Sequence, residues 1–356
     1  MAEIYKMFTG DDVIQGDIQT ISQPVWSENM NPYSQSFAAG IGFFTSSTQM
    51  SQSGDYYMNI YQRDPQNDNN AQIQFAVAYG HKWGSGSVGD VNTVGNNAND
   101  TPSRAIYSQY RNMLLPPTDN YFTTFDASGT AKDAIEIIVI NVARARFRQK
   151  IDPGNWELRV GSGSAAANWN TRYLSFVDAS GQGDSPTVNA AGRVFGIYSG
   201  SGGVTQSSLQ YGLFYPDQGI LLFDAGRLRA GGTTGLGALF NSSSATSGIQ
   251  ARNHVTMSNR ISGSSYFAAR SEEKVNSTHY FVRITNKQFN FSNNPTFVTG
   301  SSGTFAFASM LRNPSVYITT IGMYDDKNRL VAVAKLSKPL LKSFNREALI
   351  KVKLDY

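Results

Sequence analysis

Apolar and polar residues alternate along much of this chain, and the alternation marks strands. Residues 72–79 set Ile73, Phe75, Val77 and Tyr79 on one side against Gln72, Gln74, Ala76 and Ala78, which predicts a half-buried strand. Shorter strands are expected at 40–45 and 56–61, with the turn-rich run 64–70 after them. A helix interrupts the pattern. Thr101 suits an N-cap and Pro102 the first helical position, while Ile106, Tyr107, Tyr110, Met113 and Leu114 line one face until Pro116-Pro117 ends it.

Residues 134–142 are apolar on both sides, the signature of a central strand covered on both faces. The strand is expected to run on through 143–150, where Arg144, Arg146, Arg148 and Lys150 alternate with Ala143, Ala145 and Phe147. Asp152-Pro153-Gly154-Asn155 reads as a hairpin turn, and Trp156, Leu158 and Val160 as the returning arm, with Glu157 able to face one of the arginines. Between 161 and 264 Gly, Ser and Ala dominate around short apolar islands, suggesting a small β insertion or subdomain whose stretch from Gly231 to Ser247 reads as a mobile loop. The last ninety residues return to strong strand signals at 280–284, 304–308, 316–323, 330–336 and 349–356, with a hairpin connection at 324–328. Alternation of Ile350, Val352, Leu354 and Tyr356 with Lys351, Lys353 and Asp355 ties the final segment into a sheet. Residues 11–37, by contrast, have few periodic apolar positions. They read as an extended arm that lies either on a neighbouring subunit or over the protein's own core.

The expected fold is therefore mainly β with a few helices (α+β), built of antiparallel sheets with an extended N-terminal arm and a Gly/Ser-rich β insertion. Four regions follow: 1–45, the arm and first strand; 46–160, a β-rich core with one helix at about 102–115; 161–264, the insertion; and 265–356, a C-terminal β region completing the core.

Composition adjusts this picture at three points. Charged residues are 16% of the 356, below the roughly 25% of an average domain, so Ser, Thr, Asn, Gln and Gly supply the polar surface. Uncharged polar groups lose less on desolvation, which suits contact with other protein; the many turns of an all-β fold explain the same composition equally well. The net charge of +4 does not by itself imply nucleic acid. Cysteine is absent, which excludes disulfides, thiolate catalysis and Cys-based zinc sites. Residues 1–10 lack the pattern of an export signal, and no apolar run approaches the length of a membrane span.

Catalytic patterns fail on inspection. Gly84, Gly86 and Gly89 spell GxGxxG, yet the following residues do not begin the helix whose N–H groups would hold a phosphate. Asp64, Asp68 and Asn70 resemble a calcium loop that lacks its glycine and its closing glutamate. His81, His254 and His279 are far apart in sequence and without ligand spacing. The pairs Asp11-Asp12, Glu272-Glu273 and Asp325-Asp326 would point to opposite faces of a strand and read as turn or solvent-facing residues. No catalytic residue, cofactor or metal is expected. The candidate functional residues are Arg144, Arg146, Arg148 and Lys150, a row of cations that would repel one another unless anions meet them. Carboxylates of the same fold or of a neighbouring subunit are preferred to phosphates, because no aromatic platform interleaves the row.

Several blocks, in order, resemble a known family: SRAIYSQYR at 103–111, IVINVARAR at 138–146, DPGNW at 152–156, YGLFYPD at 211–217, FNFSNNP at 289–295, and the tail from Tyr317 through LVAVAKLSK at 330–338 to Tyr356. Together they resemble virion structural proteins of the baseplate and tail of large contractile-tailed bacteriophages, including those of marine cyanobacteria. The resemblance implies a non-enzymatic baseplate component of wedge type. It would be assembled in the host cytoplasm into the virion, with other tail proteins and copies of itself as partners, no nucleic acid and no membrane span. A receptor-binding or fibre-attachment protein, touching host glycans through the loops of 161–264, is the alternative.

Overall fold

The computed structural model describes residues 5–16, 18–26, 44–45, 57–61, 63–86, 101–162, 171–183, 185–229, 253–264, 266–300 and 303–356. The chain is mainly β, with antiparallel pairing at every strand register and three α-helices among the described residues. It divides into a large unit, 21–273, and a small unit formed by 1–20 with 274–356.

The strands in chain order are β1 (Val13–Gln15), β2 (Gln19–Pro24), β3 (Phe44–Thr45), β4 (Tyr57–Tyr61), β5 (Ile73–His81), β6 (Phe122–Phe125), β7 (Ala131–Ala134), β8 (Glu136–Val142), β9 (Lys150–Gly161) and β10 (Tyr173–Asp178). They continue as β11 (Thr187–Asn189), β12 (Gly192–Ser201), β13 (Val204–Tyr215), β14 (Ile220–Asp224), β15 (Phe267–Val275), β16 (Ser277–Ile284), β17 (Val298–Thr299), β18 (Thr304–Phe305), β19 (Val316–Tyr324), β20 (Leu330–Lys342) and β21 (Ala348–Asp355). The helices are α1 (Pro102–Leu114), α2 (Ala225–Arg229) and α3 (Asn253–Ser264).

The large unit is organised by one twelve-stranded sheet in the order β2-β15-β9-β10-β12-β13-β14-β8-β5-β4-β3, with β11 added beside β12. The sheet rolls on itself. Phe75 on β5 and Phe267 on β15 stand at distant places in that order, yet their rings are 5.3 Å apart, and Trp26 packs against both. Inside the roll lies a core of Phe75, Val77, Ile138, Ile140, Trp156, Leu158, Phe176, Phe214 and Phe223, with Met257 and Ile261 of α3 packed into it.

β8 is covered on both faces, as its sequence requires. Ile138 and Ile140 point into the roll, whereas Ile137 and Val139 meet α1 on the outside. β5 departs from the half-buried expectation because α1 covers its second face as well. The small side chains Ala76, Ala78 and Gly80 let the helix approach: a Cβ on Gly80 would sit 2.9 Å from the Tyr107 backbone nitrogen. Thr101 occupies the N-cap with extended backbone, but its hydroxyl donates to the Gly84 carbonyl at 2.6 Å instead of capping the helix.

Residues 143–160 correct the expected hairpin. β8 stops at Val142, Ala143 donates its N–H to Gln74, and residues 144–146 form a 3-10 turn. Phe147 then turns into the core and rests against Gly219. Asp152-Pro153-Gly154-Asn155 is no hairpin turn either, since β9 runs through it. Gly154 takes φ +80 and the pairing with β15 shifts register nearby, which is the behaviour of a bulge. The buried Asp178 carboxylate holds this kink, accepting the Gly154 N–H at 2.9 Å, the Trp156 indole N–H at 2.5 Å and both the N–H and hydroxyl of Ser180.

Strands β10 and β12–β14, drawn from the Gly/Ser-rich stretch 161–264, run through the middle of the large sheet, so that stretch is not a separate subdomain. The stretch also contains α3, a helix not expected from its sequence; the loop expected at Gly231–Ser247 lies outside the described residues. The described part of the N-terminal arm follows the second of its two expected courses, over the protein's own fold. β1 pairs with β16 and β2 with β15, and Val25 and Trp26 are buried in the protein's own core, the indole donating to the Phe267 carbonyl at 2.9 Å. Residues 27–37 of the expected arm lie outside the described residues.

In the small unit a three-stranded sheet, β1-β16-β21, packs its Val282, Ile284 and Ile350 against Ile318, Ile321, Leu336 and Leu340 of the hairpin β19-β20. The hairpin connection falls where the sequence places it: Asp325 accepts N–H groups from Lys327 and Arg329, and Asn328 adopts φ 58. The strand expected at 304–308 is shorter, because β18 ends at Phe305 and 308–311 turn as a 3-10 helix.

Candidate assembly surfaces

The four basic residues singled out in the sequence do not share a strand face. Arg144 donates to the Gln149 and Asp217 carbonyls at 3.2 and 3.1 Å, with its guanidinium 4.7 Å from the Phe147 ring centre. Arg146 donates to the Gln72 side chain. Arg148 pairs with Glu273 at 3.0 Å, and Lys150 with Glu272 at 2.5 Å. The Lys150–Glu272 pair is buried between β9 and β15, so Glu272 is not the solvent-facing residue expected. The 3-10 turn is the cause of the dispersal, since it rotates each successive side chain away from the alternation of a strand. Arg148 and Lys150 therefore meet carboxylates, but those of their own fold.

In two open clefts of the large unit the carboxylates are already engaged. One of about 540 Å³ is bordered by Ala76, Asn141, Arg144 and Asp217, and Asp217 is engaged by Arg193 at 3.0 Å. A second, of about 390 Å³, lies over Trp26, Trp156 and Tyr266. Its Glu157 accepts from Ser175 (2.7 Å), Ser201 (3.1 Å), the Gly202 N–H (2.9 Å) and Arg159 (2.9 Å), so it meets Arg159 of its own strand and none of the four cations above. These hydrogen bonds hold its carboxyl below the usual range although burial works the other way. Arg159 is in turn stacked on Tyr266 at 3.9 Å. Such an arrangement fixes strands together and leaves no carboxylate oxygen unoccupied.

Of the three histidines, His81 closes the turn 81–86. It is buried, which lowers its pKa, and Nδ1 accepts the N–H groups of Trp83 and Ser85 at 3.1 and 3.2 Å. That turn carries Gly84 and Gly86 at positive φ, while Gly89 lies outside the described residues. Asp64 and Asp68 bond to their own turn, at Gln66 and Asn70. No group of three or more potential metal ligands occurs among the described residues. No helix among them is long and apolar enough to cross a membrane.

The surface that stands out belongs to the small unit. Among the described residues most of the exposed large apolar side chains lie there, including Tyr317, Leu330, Val331 and Val333 on the hairpin and Leu349 on β21. The C-terminal segment of this unit is strongly basic: residues 274–356 hold twelve Lys and Arg against four Asp and Glu, a net +8, while residues 1–20 add one Lys and four Asp and Glu, so the small unit carries a net +5 and residues 21–273 a net −1. A windowed charge count would have found this, whereas the whole-chain value conceals it. Comparisons with protein-family models, with curated proteins and with solved structures each returned no match.

Proposed function

We propose that this chain is a structural subunit of a contractile phage tail, a baseplate component of wedge type that acts through protein-protein contacts. The observation that carries the reading is the contrast between the two units. In the large unit the buried carboxylates and most of the aromatic residues are spent on the rolled sheet, while the small unit leaves apolar and basic side chains on its outer strands. Exposed apolar area of this kind is stabilised by burial against another protein. The resemblance of the ordered sequence blocks to tail proteins supports this choice of assembly.

Particles purified on a density gradient and analysed by mass spectrometry test this directly. The chain is expected at a fixed copy number relative to the other tail proteins. Its absence from intact particles, or turnover of a substrate by the purified chain, would overturn the reading.

A further inference from the structure

β21 is the regular open edge of the small unit. It pairs with β16 through eight successive residues, Ala348 to Asp355 against Ile284 to Ser277, without a register shift, and its other edge pairs with nothing among the described residues. The other long strands of this unit are blunted: the pairing of β19 with β20 shifts register twice, and β20 carries Pro339. Ile350 and Val352 of β21 are buried, so Leu349, Lys351 and Lys353 occupy the outer face. Opposite them on β16 stand Arg283, Phe281 and His279. Lys351 lies 5.9 Å from the Phe281 ring centre and makes no ion pair among the described residues. Lys353 reaches Asp355 at 3.1 Å and the Gln19 side chain at 3.0 Å.

An unpaired strand edge offers a row of N–H and C=O groups to any extended chain, and lysines on it discourage neutral or basic strands, which leaves an acidic strand as the one that fits. A second copy of β21 would bring Lys351 and Lys353 against like charges, which is unfavourable across a strand pair. A strand with carboxylates at alternate positions would meet both ammonium groups and place an apolar residue against Leu349.

We propose that the open edge of β21 receives an extended acidic protein segment, which adds as a fourth strand to the β1-β16-β21 sheet and sets one carboxylate against each of Lys351 and Lys353. The proposal rests on the assembly reading above and names the chemistry of the partner. The exposed Leu349 and the open row of backbone N–H and C=O groups favour a protein strand, and the Phe281 ring opposite Lys351 is the reason the test below includes a nucleic acid.

The test uses the full chain and three fluorescent probes: an eight-residue capped peptide of valine and threonine carrying two glutamates at alternate positions, the same peptide with lysines, and a dT decamer. Anisotropy is expected to show the glutamate peptide binding about tenfold more tightly than the lysine peptide, the scale of two exposed charge pairs. Lys351→Glu with Lys353→Glu should reverse that order, and Lys351→Gln with Lys353→Gln should abolish it, at unchanged melting temperature. Equal binding of the two peptides, a preference unmoved by either double variant, or displacement of the glutamate peptide by dT would overturn the proposal. Normal entry of the Glu double variant into particles would also remove this edge as the contact, while leaving the assembly reading intact.

Discussion

Asp178→Ala is expected to destabilise the large unit by about 4 kcal/mol, the larger of two effects for which buried polar groups are responsible. The carboxylate is 0% exposed and accepts four hydrogen bonds, from Gly154, from the Trp156 indole and from two groups of Ser180. Alanine leaves these donors facing a cavity, and an unsatisfied buried donor costs about 1–3 kcal/mol. The bulge in β9 would lose the contact that holds Gly154 at positive φ, and Trp156, which packs on Phe214 at 5.2 Å, would shift. Thermal melting followed by tryptophan fluorescence checks this, with a fall of roughly 10 °C expected. Asp178→Asn keeps one acceptor oxygen and should lose about half as much. A change under about 1 kcal/mol for the alanine variant would show that the bulge is held by pairing with its neighbours alone.

Lys342→Met is expected to cost about 3 kcal/mol in the small unit. This side chain is 0% exposed, and its ammonium donates to the Asn290 side chain at 2.8 Å and to the carbonyls of Asn286 and Ser343 at 2.9 and 3.2 Å. Burial draws its pKa below the ordinary lysine value, and the nearby Glu347 opposes that shift. Methionine matches the length but leaves three oxygens without their donor, so loop 285–290 should loosen. Hydrogen exchange resolved to peptides would register the effect as faster exchange across 285–290 and β16, with the large unit unchanged. Uniform exchange in wild type and variant would mean that water replaces the ammonium without penalty.

The elements that the sequence disclosed are those in which one short-range rule acts alone. The helix at 102–114 is bounded by prolines and carries its apolar stripe on one face, and the strand at 136–142 is apolar throughout because both its faces are covered. The pattern at 143–150 misleads for a physical reason. Alternation of Arg and Ala satisfies a strand period, but the 3-10 turn is set by contacts distant in sequence, with Gln74, Asp217 and Gly219. Nor could the covered outer face of β5 be anticipated, because Ala76, Ala78 and Gly80 look like the weak side of an alternating strand until α1 is seen against them. α3 escaped because Asn, Ser and Gly dilute the spacing of His254, Met257 and Ile261. Of the candidate functional residues, the four cations at 144–150 were conspicuous in sequence yet serve their own fold in the described contacts. The basic and apolar strands of 316–355 were legible as strands, but which of their residues face outward depends on how β16, β19, β20 and β21 pack.

The central claim is that the chain works by being built into a larger assembly through its exposed strands. It is tested most directly by replacing Val331 and Val333, which are 68% and 58% exposed on β20, with aspartate. The double variant is supplied during infection by a phage lacking its own copy, and its amount in purified particles is compared with the melting temperature of the isolated chain. The account predicts loss of most of the incorporated protein with a melting temperature within a few degrees of wild type, because substitutions on an exposed face alter stability little. Full incorporation of the aspartate variant into infectious particles would contradict it.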